Sequence, residues 1–135
     1  MVTLETLRKE VLSSLDIQFI GIKFKFELKE KEYHNDIFYI VGNDYENEIG
    51  VKKNDYSVYS LSEKDYIFMN SSFNQLIECI KNFTKIIDFS KIYDDEERIE
   101  QVDEIREKFE EIDNASLKDG AWWTYILEQS EDGIL

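Results

Sequence analysis

The apolar residues of this chain change period part-way along, and that change dictates most of what the chain can fold into. Ile20, Ile22, Phe24, Phe26 and Leu28 alternate with Gly21, Lys23, Lys25 and Glu27, the pattern of a half-buried strand. After residue 70 the spacing lengthens. Phe73, Leu76, Ile77, Ile80, Phe83 and Ile87 fall on one helical face. Strands first and helices afterwards predict an α+β protein, because each kind of element must bury its apolar side against the other.

The elements follow from the same reading. Leu4, Leu7, Val11 and Leu12 predict a helix over residues 3–15, with Thr3 as its N-cap. A strand covers 17–28, the polar stretch KEKEYHND at 29–36 is a turn, and IFYIV at 37–41 is a more buried strand. Gly42-Asn43-Asp44 has turn chemistry. Short strands follow at 48–52, 56–61 and 66–69. Ser72 and Gln75 have capping-box spacing, so the hydroxyl can take the third amide and the Gln side chain can reach back. A second helix over 95–112 carries Ile99, Val102, Ile105, Phe109 and Ile112. A third, over 120–130, carries Trp122, Trp123, Ile126 and Leu127, with Gly133 as a stop. No linker or repeat divides the 135 residues. The expectation is a single α+β domain over 1–135: an antiparallel sheet of about five to six strands with helices packed on one face.

Charge narrows the function. Sixteen Lys and Arg stand against 30 Asp and Glu, for a net −14. Such a chain repels polyphosphate and anionic lipid, so neither nucleic acid nor a membrane surface is an expected partner. Most of the acidity lies late, with −11 in residues 94–135 against −3 before them. No apolar run is long enough to span a bilayer, and the charges of residues 1–16 interrupt any secretory signal. One Cys cannot form an internal disulfide, which predicts a reducing, cytoplasmic setting.

Residues that could carry chemistry are few. Cys79 sits between Ile77 and Ile80 and reads as a small buried hydrophobe. His34 is the one imidazole and falls in a polar turn, solvated or, alternatively, a general base. Nothing ties it to Cys79. One Cys and one His cannot close a zinc site without carboxylates. DYENEIGVKKND, residues 44–55, has acids at the first, third and fifth positions of a calcium loop. The required Gly comes one place late, however, and the twelfth residue is Asp; a turn between strands explains it better. No phosphate-cradling glycine loop is present. The sequence therefore predicts no catalytic residue, metal or cofactor. The acids of 94–111 are either a wet helix face or a docking surface for a basic partner. Trp122 and Trp123 diverge by about 100° on a helix. Either both are packed under neighbouring elements, or one fills the core and the other is an exposed anchor.

Three segments together carry a resemblance. They are DIFYIVGNDYENEIGVKKNDYSVYSL, FMNSSFNQLIECIKNF (residues 68–83) and IREKFEEIDNASLKDGAWWTYILEQSEDGIL (residues 105–135). An apolar strand precedes a Gly-containing turn. An Asn-Ser-Ser helix start then leads to an Ile-Asp, Trp-Trp, Leu-Glu ending. In this order they resemble the SUKH superfamily of immunity proteins, its fourth branch in particular, over roughly residues 15–135. The chain departs from that pattern in having no Pro, with Leu15-Asp16 where Leu-Pro is common. The resemblance implies a small cytoplasmic, non-enzymatic α+β protein that neutralises a cognate toxin, commonly a nuclease or nucleic-acid deaminase. It implies structural roles, as caps and core, for Asn70, Ser71, Ser72, Phe73 and Trp123.

A toxin acting on nucleic acid presents a basic active-site face, and an acidic inhibitor is steered to it. From charge and expected exposure, the partner-binding candidates are Asp44, Tyr45, Glu46 and Glu48 in one turn, and Asp94, Asp95, Glu96 and Glu97 at a helix start. The expected state is a monomer or weak homodimer. The competing readings are a cytoplasmic scaffold or regulatory module, and a carboxylate hydrolase.

Overall fold

The computed structural model describes residues 2–135. The elements are α1 (Leu4–Leu12), β1 (Gln18–Phe19), β2 (Ile22–Tyr33), β3 (Asp36–Asp44), β4 (Asn47–Lys52), β5 (Val58–Leu61), β6 (Tyr66–Asn70), α2 (Phe73–Ile86), α3 (Asp95–Asp113), a 3-10 turn (Asn114–Leu117) and α4 (Trp122–Glu131). The strands form one six-stranded sheet in sequence order, and every neighbouring pair is antiparallel. Short turns permit that meander. The helices cover one face. Tyr39, Val41, Ile49, Val51, Val58 and Met69 of the sheet share a buried cluster with Leu7, Val11, Leu76, Ile80, Phe83, Phe109, Trp123 and Leu127. The α+β class, the strand number and the one-sided helices are as the period change predicts.

The strand boundaries differ where irregular backbone breaks the period. The stretch 17–28 is not one strand, because Ile20-Gly21 turns the chain and Phe19 pairs with Ile22. β2 then runs past Leu28 into the residues expected to be a turn. Phe24 faces Gly42 while Lys29 faces Ile40, so a bulge occupies the residues between. A bulge resets the alternation, and Phe26 is 45% exposed instead of buried. The turn contracts to His34-Asn35, both at positive φ, as a type I′ hairpin requires. Ion pairs Lys31–Glu48 and Lys53–Glu30 tie the polar end of β2 to β4 and to the segment after it. The turn expected at 42–44 comes later, at Tyr45-Glu46, because β3 continues through Asp44.

The far face of the sheet is not bare. Phe38, Ile40 and Leu61 are buried there against Tyr33, Tyr59 and Tyr66. The sheet curls so that the β2–β3 hairpin reaches the β5–β6 end: His34 Nε2 lies 3.2 Å from the Ser62 carbonyl, and Tyr66 Oη donates to Asp36 at 3.2 Å.

Three of the four α-helices start at a side-chain cap, and α4, which follows Ala121, does not. Thr3 accepts from the Thr6 amide, Ser72 from the Gln75 amide and Asp94 from the Glu97 amide. At α2 the second half of the expected box differs. The Gln75 side chain accepts from the Ser72 hydroxyl and donates to the Ile112 carbonyl at 2.9 Å, which locks α2 to the end of α3. Of the predicted stripes, Leu12 and Ile99 prove exposed, since α1 ends at Leu12 and Ile99 lies in the first turns of α3.

Candidate partner-binding groove

Both tryptophans are buried, so the packed alternative holds. Trp123 fills the core against Phe19, Phe83 and Phe109, and its indole N–H donates to Asn70 Oδ1 at 2.9 Å. Trp122 packs edge-to-face on Trp123, with ring centroids 4.9 Å apart, and its indole N–H donates to Asp44 Oδ2 at 2.9 Å, at the end of β3. The two touching indoles thus make separate polar links, Trp123 to the end of β6 and Trp122 to the end of β3.

The face bearing Trp122 borders an open cavity of about 480 Å³. Its lining is mostly apolar: Ile20, Tyr45, Phe89, Trp122, Tyr125 and Ile126, with Ile134 and Leu135 beside them. Asp44 lies among these side chains. Tyr45 and Tyr125 are 72% and 61% exposed. Tyr45 is nonetheless held. Its amide donates to the Gly21 carbonyl at 3.0 Å, and its ring lies over Gly21, where any Cβ would overlap it. Ile20 and Tyr45 both sit at positive φ, 56° and 54°, conformations that strain bulky side chains. Phe89 and Leu135 also border a second depression, of about 220 Å³, that reaches Tyr93 and Arg98. Arg98 donates to the Tyr93 and Glu131 carbonyls and pairs with Asp95. One groove therefore runs from the β3–β4 turn to the start of α3.

The acids expected at a partner surface are dispersed. Asp44 is a correction, because it is not a wet turn acid but 8% exposed. Burial raises its pKa, and the Trp122 hydrogen bond opposes that only in part. Among the described residues no Lys or Arg pairs with it. Tyr45 stands at the groove as an exposed ring. Glu46 and Glu48 line a different depression, with Asn43 and Leu61. Glu48 accepts from Lys31 at 2.8 Å and from Tyr33. Burial acts to raise its pKa, but those hydrogen bonds and the Lys31 charge outweigh it and hold the pKa below the ordinary value. Asp94 and Glu97 cap each other's backbone amides, and Asp95 pairs with Arg98. These four residues are exposed, and the Asp95–Arg98 pair places them at the groove's far end.

Sequence reasoning missed Ile20, Phe89, Tyr125, Ile134 and Leu135. Tyr125 carried a usable signal: it follows Trp122 by three residues and so shares its side of α4. The others come together only through the fold.

Cys79 is buried, and burial foremost pushes its thiol up to about 12. It faces Asn70, whereas the His34 ring lies tilted against Tyr66, centroids 5.6 Å apart. Among the described residues no cluster of three His, Cys, Asp or Glu could hold a metal ion, and no helix is long and apolar enough to cross a membrane. Residues 44–55 are strand and turn, not a cation loop.

A curled antiparallel meander backed by helices, with an open aromatic groove, defines a small α+β protein. The model of the SUKH-4 immunity protein family matches residues 27–129, about three quarters of the chain, and the chain belongs to that family. Membership supports a bacterial immunity role and implies a cognate toxin as partner. No curated protein and no solved structure matches the chain.

Proposed function

We propose that this protein neutralises its toxin by direct binding in the cytoplasm, covering the active-site face of a nuclease or nucleic-acid deaminase without chemistry or a cofactor of its own. The observation that carries the reading is the net charge of −14 in a member of an immunity family. An enzyme that grips nucleic acid needs a basic surface, and a strongly acidic protein is drawn to it at long range. Total charge governs encounter, whereas affinity comes from a few desolvated contacts. A buried carboxylate–arginine pair can couple by about 1.5–7 kcal/mol, and an exposed pair by little. The contacting residues are Tyr45 and Asp44 at the groove, with Glu46, Glu48 and Asp94 to Glu97 steering from the rims. The protein acts as a monomer or weak homodimer and binds neither nucleic acid nor membrane.

Co-expression with the toxin encoded beside it tests this. Growth should be rescued, and a complex should form at micromolar concentration or below. A toxin that still kills and does not bind ends the proposal.

A further inference from the structure

Asp44 is the odd group in the groove. The residue is 8% exposed and sits among mostly apolar and aromatic side chains, with Gln129 the other polar one lining the cavity. One oxygen accepts from Trp122, nothing among the described residues donates to the other, and no cation stands near. A carboxylate desolvated in this way destabilises a fold unless something compensates it. The exposed rings of Tyr45 and Tyr125 border the same cavity. Aromatic faces attract a cation, and a planar guanidinium can lie against them while it donates to a carboxylate.

We infer that this groove is an arginine socket: one Arg side chain of the bound toxin enters it, pairs with the free oxygen of Asp44 and lies against Tyr45 and Tyr125. The inference rests on the toxin-binding reading and gives that reading its central contact. The socket is prepared in the free protein. The Trp122 hydrogen bond aims the carboxylate, and the Gly21 contact fixes the Tyr45 ring, so little ordering is needed on binding. A second copy of the chain is a poor occupant. It also carries −14, and pairing the two grooves would set one unneutralised Asp44 against the other.

The test uses Asp44→Asn and Tyr125→Ala against the neighbouring-gene toxin, with Glu5→Gln as a control on exposed α1. Asn keeps an oxygen for the Trp122 N–H, removes the charge and replaces the other acceptor oxygen with an NH2 donor. Tyr125 is exposed, so its truncation leaves the core intact. Each groove variant should weaken toxin binding by about tenfold or more, mainly through faster dissociation, while the control stays within about twofold. If the toxin binds and both variants match the wild type, the socket is refuted and the immunity reading stands. If the toxin does not bind at all, the immunity reading fails and a peptide decides the socket. Acetyl-Leu-Arg-Phe-amide at millimolar concentration should shift the Trp122 indole N–H signal in NMR. Its citrulline counterpart should not, nor should the Arg peptide with the Asp44→Asn protein. No shift, or equal shifts from both peptides, overturns the inference.

Discussion

Asn70 and Asp113, 43 residues apart in sequence, meet in the core, where Asn70 Nδ2 donates to Asp113 Oδ2 at 3.0 Å. The same carboxylate accepts from the Ser71 amide and hydroxyl, and Asn70 Oδ1 accepts from Trp123. Four short polar links thus join the end of β6, the end of α3 and the start of α4. Asn70→Ala strands the Trp123 indole and should cost about 1–3 kcal/mol. Asp113→Ala removes three accepted hydrogen bonds and should cost about 2–4 kcal/mol. Urea denaturation checks both.

Asp44 should show the opposite sign. Its pKa in the folded protein is raised, by burial above all. The folded state then binds this proton more tightly than the unfolded state does. This carboxylate's contribution therefore makes stability fall as pH rises from the ordinary carboxylate value through the raised one. At neutral pH its charge is a burden, so Asp44→Asn should raise the thermal midpoint and flatten its dependence on pH in that window. A variant that folds better and binds toxin worse is the signature of a residue kept for binding. A lowered midpoint at neutral pH would contradict the account.

Tyr45 offers a second case. Its positive φ strains a large side chain, and Asn tolerates that conformation better. Tyr45→Asn should therefore leave stability unchanged or raise it by up to about 1 kcal/mol, and should weaken toxin binding. Gly21→Ala should weaken binding although Gly21 itself is no proposed contact, because its new methyl displaces the Tyr45 ring. Paired denaturation and binding titrations separate the two effects.

Cys79 supplies a probe of global stability. Its thiol is buried and poorly ionised, since burial lifts it to about 12. A thiol reagent at pH 8 should label it only as fast as the protein opens, and much faster in denaturing urea. Rapid native labelling would mean that α2 opens locally.

Much of this was legible in the sequence, for physical reasons that also mark where legibility ends. Helical stripes on α2 and α3 survive because 3.6-residue periodicity is local. The β2 alternation misleads after Phe24, since a bulge leaves no mark in an otherwise regular pattern. The acid count identified an acidic protein but not which acids matter. Asp44 reads as a wet turn residue until Trp122, 78 positions away, covers it. The groove joins the β1–β2 hairpin, the β3–β4 turn, α4 and residues 134–135, and no periodicity reports such a meeting.

The acids at the start of α3 call for a variant that separates charge from capping. Asp94 and Glu97 hold the helix end by reciprocal hydrogen bonds, so charge reversal there would fray the helix and confuse the result. Replacing Asp94 and Asp95 with Asn, and Glu96 and Glu97 with Gln, keeps capping acceptors in place and removes four charges. The macrodipole loses favourable partners, which should cost about 0.3–1 kcal/mol per site near the helix end. If these residues steer the toxin, association should slow several-fold at low salt and the salt dependence of the association rate should flatten, while dissociation changes little. Slower association that persists at high salt would point to a lost direct contact instead. No change in either rate would leave steering to the remaining acids of the chain.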